Sequence, residues 1–200
     1  MRLPEIERGD GVANRLLINF ISMVSRMRLP DAARVAFYHK DFFGKPMGAW
    51  TQAAMRGASP WSVTERELMA CMIAKWSGCA FCVGAHGSIA AKEMQRPAVD
   101  KVISDFHAAP ISELLKAALA FLEVMTLRPN DLKAEHAKAA LNAGICAEAL
   151  ADVIAVGALF SIITRYADAL DFALPTPAEF ERAADMLLRR GYSSRPSHRR

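Results

Sequence analysis

This sequence predicts an all-α fold of about eight or nine helices, on three observations. Apolar residues make up 52% of the chain, with alanine, leucine and methionine prominent, and this composition leans towards helix. They recur at helical spacing, most clearly at Ala13, Leu16, Leu17, Phe20, Ile21, Val24 and Met27. Two stretches, Ser62-Val63-Thr64-Glu65 and Thr176-Pro177-Ala178-Glu179, carry the residue pattern that starts a helix.

The elements follow in order. Residues 12–27 form the first helix. Pro30 and Asp31 open a short second one through Val35 to Tyr38. Residues 42–45 read as a turn. Pro46 suits the first position of a helix that runs to Arg56 and ends at Gly57. The box at Ser62 and Glu65 starts a helix reaching about Trp76, and Thr64 with Glu67 could form a competing box two residues later. Ser77 and Gly78 break that helix, and a new one runs from near Cys79 to about Gln95, before Pro97. Residues 98–107 follow, closed by Pro110. Leu114, Leu115, Ala118, Leu119, Leu122 and Met125 mark a strongly amphipathic helix stopped before Pro129. Asn130 is placed to cap a helix over 131–142, and Gly144 to stop it. Residues 147–171 make the longest buried helix, and Thr176 caps a last one ending near Arg190.

Two hundred residues suit one domain with a sizeable core, taken as 1–200. The N-terminus has no signal pattern, and the longest nearly apolar run, residues 153–163, is too short to span a bilayer. The expectation is a soluble cytoplasmic protein without a membrane partner. The net charge of +4 belongs to the end of the chain. Residues 189–200 hold five arginines and no acid, and the remainder carries 20 basic and 21 acidic residues. Such a basic end could touch nucleic acid or acidic surfaces, but a solvated, frayed terminus is the better reading, and no nucleic-acid partner is expected. Residues 191–200 read as a basic, solvated tail.

The chemistry concentrates in residues 67–86. Cys79 and Cys82 stand at Cys-x-x-Cys spacing in the first turn of a helix, where free amides and the helix dipole favour a thiolate. His86 lies one turn beyond Cys82 on the same face, within reach of its sulfur. Glu67 precedes the pair by twelve residues and is a candidate carboxylate to orient an imidazole. Taken alone, the cysteine pair has three readings. A zinc site needs two more soft ligands, and Cys71, Cys146 and the scattered histidines are not paired at ligand spacing. An inert pair of core thiols is the usual fate of isolated cysteines. A redox dithiol best suits two cysteines at a helix start with a histidine one turn on. His39, His107, His136 and His198 read as structural or solvated, Glu65 as a cap, Glu93 as surface and Cys71 as a buried apolar thiol. Cys146 takes a capping place before the long helix.

The assembled pattern, Glu67, then Cys79-Ala80-Phe81-Cys82, then His86, resembles the alkylhydroperoxidase D-like (AhpD-like) branch of the carboxymuconolactone decarboxylase family. The spacing matches at every functional position, within the flanking Glu65-Arg66-Glu67-Leu68 and Val83-Gly84-Ala85-His86-Gly87. The resemblance is specific over about residues 60–95 and weaker over 110–172; residues 1–45 and 175–200 carry no matching motif. It implies an AhpD-like helical fold assembled into trimers or hexamers, and a hydroperoxide reductase activity. By this likeness Cys82 is the peroxidatic thiol and Cys79 the resolving one, with Glu67 and His86 as their proton relay. The best-known member has a histidine just before the second cysteine, where this chain has Phe81, so that contribution to the relay is missing. The family's lactone decarboxylases lack the dithiol, which argues against decarboxylation.

The implied partners are a hydroperoxide substrate and an external dithiol reductant, either a lipoyl-bearing or a thioredoxin-like protein. No flavin, haem or nucleotide fingerprint is present, so neither cofactor nor metal is expected. The alternative function is a redox-sensing or interaction protein whose Cys79/Cys82 disulfide switches assembly without turnover. General protein disulfide reduction is a third reading, but the usual βαβ setting is missing. The high apolar content also points to a homo-oligomer, with the helices at 12–27 and 114–125 as candidate surfaces.

Overall fold

Local signals set most of the helix ends. The computed structural model describes residues 1–9, 11–38 and 40–192, and among these there is helix and loop but no strand. The chain begins with α1 (Pro4–Arg8), α2 (Gly11–Ser25) and α3 (Asp31–Tyr38). A π-turn at Lys40–Gly44 leads into α4 (Lys45–Arg56). Next come α5 (Val63–Trp76), α6 (Ala80–Met94), α7 (Arg96–Ser104) and α8 (Glu113–Leu127). A 3-10 turn at Pro129–Asp131 precedes α9 (Ala134–Asn142), and α10 (Ala147–Leu170) and α11 (Pro177–Arg190) complete the fold. The described residues thus form eleven α-helices rather than eight or nine. Ten of them fall on stretches read as helix from the sequence, short α3, α7 and α9 included, and only the five-residue α1, too short to show an apolar period, is unforeseen. Asn130 falls in the 3-10 turn instead of capping α9, and His136 Nδ1 accepts the Lys133 amide there at 3.1 Å.

At the centre lies α5. Ten of its fourteen residues are buried, on every side, because α6, α8, α10 and α4 all pack around it. Its start is a true capping box: the Ser62 amide donates to Glu65 Oε2 at 2.8 Å and the Glu65 amide to Ser62 Oγ at 3.2 Å. Along one flank runs α6, and α11 lies across α6. Gly84 permits that crossing, since a Cβ there would sit 2.5 Å from the Phe180 ring. Lys92 clamps the two helices through Glu181 (2.6 Å) and Asp185 (3.0 Å).

The longest helix, α10, has 24 residues and is long and apolar enough to cross a membrane by length and composition. The sequence reading counted only residues 153–163 and so undercounted it. Its Val153, Val156, Leu159 and Phe160 are buried in the helical core, which accounts for the apolar character. The two candidate assembly surfaces differ. Leu115, Ala118, Leu119 and Leu122 of α8 are buried, so that helix serves the core. By contrast α2 leaves Val12, Leu16, Phe20, Met23 and Val24 mostly exposed. His39, His198 and residues 193–200 of the expected tail lie outside the described residues.

Candidate active site

The break at Gly78, with φ +79°, turns the chain between α5 and α6. It sets Cys79 in extended conformation as the N-cap of α6 and places Cys82 in the first turn, one turn before His86. The antiparallel α5 presents Glu67 to the same region. His86 Nδ1 and Glu67 Oε2 are 2.6 Å apart, with Glu67 fully buried and His86 7% exposed. Thr64 bonds Glu93 instead of sharing a cap with Glu67, so Glu67 has no capping duty.

Two further partners hold Glu67. Arg56, at the end of α4, places Nη1 2.7 Å from Oε1, and the Tyr192 hydroxyl donates to the same oxygen at 2.9 Å. Burial pushes the Glu67 pKa up, but the charges and hydrogen bonds of His86 and Arg56 outweigh it and hold the group below its ordinary 4.5. Glu67 is therefore an acceptor-only carboxylate. His86 must carry a hydrogen on Nδ1 to bond it, which leaves Nε2 as the nitrogen that can take up or release a proton. Phe160 packs edge-on to that ring at 4.6 Å.

Cys79 and Cys82 are both free thiols and almost fully buried, at 0% and 2% exposure. Each alters the other. The hydrogen bond with the Cys82 thiol lowers the Cys79 pKa, and the nearby Cys82 amide adds a smaller effect without regular capping geometry. The same contact, together with burial, drives Cys82 well above its usual value. The contact therefore favours ionisation of Cys79 over Cys82. Asp168 of α10, close to Cys79, opposes that ionisation. Cys71 is a different case: burial raises its pKa to about 12, and its thiol points to the Val83 carbonyl at 3.7 Å. Phe81 meets Phe172 edge-on at 5.3 Å and Phe180 at 6.2 Å, roofing the start of α6 with aromatic rings.

Sequence reasoning missed Arg56, Asp168 and Tyr192. Tyr192 falls in the stretch read as a solvated tail, yet it docks on Glu67 because the turn at Gly191 (φ +69°) carries it back across α4. No local signal marks any of the three. Among the described residues no group of three or more histidine, cysteine or acidic side chains is arranged to hold a metal ion.

No protein-family model matches the chain, and no curated protein matches it either. Solved structures do match. An uncharacterized peroxidase-related protein from Silicibacter sp. TM1040 is 18% identical, with a TM-score of 0.72 over 84% of this chain and 87% of that one. An alkylhydroperoxidase AhpD core protein, also described as peroxidase-related, from Ralstonia eutropha JMP134 is 22% identical, with a TM-score of 0.70 over 90% of this chain and 94% of that one. The debrominase Bmp8 is 18% identical, with a TM-score of 0.67 over 86% of this chain and 91% of that one. A cysteine-to-alanine variant of Bmp8 is described in complex with 2,3,4-tribromopyrrole. Across identities this low the likeness is one of architecture, and the chain has the all-helical fold of the alkylhydroperoxidase AhpD core.

Proposed function

We propose that the chain is a thiol-dependent peroxidase that reduces organic hydroperoxides with the Cys79/Cys82 dithiol. The observation that carries this reading is the buried Glu67–His86 hydrogen bond on the helix pair that holds two free, interacting thiols. In the resting site Cys79 holds the negative charge, and His86 holds the proton it gave up, as an imidazolium paired with Glu67. As peroxide arrives, Cys82 passes its proton to Cys79 and attacks the terminal peroxide oxygen. The O–O bond breaks, Cys82 becomes a sulfenic acid, and the departing alkoxide takes a proton from His86 to leave as alcohol. Glu67 balances the imidazolium while it lasts. Cys79 then displaces water from the sulfenic acid, and its own proton leaves with that water. An external dithiol, lipoyl-bearing or thioredoxin-like, reduces the resulting disulfide by exchange. We place this cycle in the cytoplasm and in a homo-oligomer joined through the apolar face of α2.

The test is consumption of cumene hydroperoxide coupled to dithiol oxidation. Wild type turns over, Cys82→Ser makes no sulfenic acid, and Cys79→Ser stalls as one. Absence of turnover with both hydrogen peroxide and organic hydroperoxide sinks the enzyme reading and leaves the non-turnover redox switch. A second reading is reductive debromination, in which the dithiol supplies two electrons and a carbon–bromine bond becomes carbon–hydrogen with release of bromide. The debrominase among the structural neighbours supports it, as does the aromatic roof of Phe81, Phe172 and Phe180, which suits a flat ring. Bromide release from 2,3,4-tribromopyrrole without peroxide turnover would favour it.

A further inference from the structure

The last described residue reaches the centre of the site. Tyr192 lies 125 residues from Glu67 in sequence, and two independent attachments hold it there. Its backbone amide donates to Gln52 Oε1 at 2.7 Å, and its ring lies under the Arg56 guanidinium, 4.8 Å from ring centroid to guanidinium carbon. Its hydroxyl then donates to Glu67 Oε1 at 2.9 Å. That oxygen also takes Arg56 Nη1, so both its bonding directions are used, and Oε2 alone remains to face His86. Burial and the Glu67 charge hold the Tyr192 pKa well above its ordinary value, so the phenol remains a neutral donor.

We infer that Tyr192 is a positioning residue: its hydroxyl fixes Glu67 against His86, and the relay is complete only when the segment after α11 is seated. This rests on reading Glu67 and His86 as the proton relay of the dithiol. Tyr192 meets the relay on the Glu67 side, its hydroxyl also lying 3.5 Å from His86 Nδ1. It acts through the carboxylate, removing a rotational freedom that Arg56, as a single contact to one oxygen, leaves open. The consequence is a link between the two ends of the site. Because α11, which leads directly into Gly191 and Tyr192, lies across the dithiol helix, displacing α11 both uncovers α6 and loosens the relay.

The test is the pH profile of iodoacetamide alkylation at Cys79 and Cys82 in the full chain, followed by mass spectrometry, which needs neither peroxide nor reductant. In Tyr192→Phe, which keeps the ring and its packing, the midpoint rises by about half a unit to one unit, the part of one hydrogen bond to a charge that reaches the dithiol through Glu67 and His86. Gln52→Ala, which frees the Tyr192 backbone without touching the relay, shifts it in the same direction. A structural role alone would lower the thermal midpoint and leave the alkylation profile in place, and that result overturns the inference. Glu67→Gln separates the two levels. If it does not move the midpoint, the relay reading fails and the role of Tyr192 fails with it. If it does while Tyr192→Phe and Gln52→Ala do not, the relay stands and Tyr192 alone is dismissed.

Discussion

Replacing Glu67 with glutamine has a consequence for stability that the structure makes quantitative. The carboxylate is fully buried among three donors: His86 at 2.6 Å, Arg56 at 2.7 Å and Tyr192 at 2.9 Å. Glutamine keeps the shape but strands Arg56 as a buried cation, and Arg56 Nε and Nη2 already have no hydrogen-bond partner among the described residues. Removing one member of a buried ion pair costs about 3–5 kcal/mol. At about 2–4 °C per kcal/mol for a chain of this length, the thermal midpoint at pH 7 falls by roughly 6–20 °C. Adding Arg56→Met removes the stranded charge, so the double variant regains about 1–3 kcal/mol over Glu67→Gln alone. The pH dependence has a definite sign. The folded pKa of Glu67 lies below 4.5, so its stabilisation is complete above the unfolded value of about 4.3 and is lost as pH falls through the folded one. The gap between wild type and Glu67→Gln should therefore narrow only below about pH 4.3. Thermal unfolding followed by circular dichroism from pH 7 to pH 3 measures both. A midpoint within about 2 °C of wild type at pH 7, less than 1 kcal/mol, or a double variant no more stable than the single one, refutes the reasoning.

Three other outcomes follow from the packing. Gly84→Ala drives a methyl into the Phe180 ring and loosens α11 from α6, costing about 1–3 kcal/mol in denaturant unfolding; Phe180→Ala in that background should recover part of the loss, and an unchanged Gly84→Ala would remove the close approach from the account. Leu16→Glu with Phe20→Glu, at side chains 64% and 58% exposed, should turn a sedimenting oligomer into monomer with little change in the protomer's own secondary structure; wild type that sediments as monomer contradicts the assembly. In the folded protein at pH 8, iodoacetamide should label exposed Cys146 and spare Cys71, whose pKa is raised to about 12; equal labelling of the two would mean that α5 is not the buried centre.

Much of the frame was legible in the sequence because it is set over short distances. The Ser62–Glu65 box, the Gly78 break, the Thr176–Glu179 box and Cys146 at the head of α10 are each decided within four residues by backbone hydrogen bonding. Short helices were harder. The five-residue α1 has no period to read, and the 3-10 turn at Pro129 delayed α9 beyond the capping residue assigned to it. At the site, spacing alone puts Cys82 and His86 on one face of α6, and the capping logic left two possible duties for Glu67. Only the fold, by bonding Thr64 to Glu93, separated them.

The sequence by itself determined an all-helical chain and the order of its functional groups, because helix starts, stops and i to i+4 neighbours depend on local geometry. The tertiary structure decided which oxygen of Glu67 faces His86, that Arg56 and Tyr192 hold the other one, and that Asp168 comes close to Cys79. It also assigned α8 to the core and left the apolar face of α2 uncovered. Those facts depend on the packing of α4, α5, α6, α10 and the segment after α11, which are distant in sequence. A buried charge is stabilised by whatever the fold brings within hydrogen-bonding distance, and no spacing rule reaches across the 125 residues between Glu67 and Tyr192.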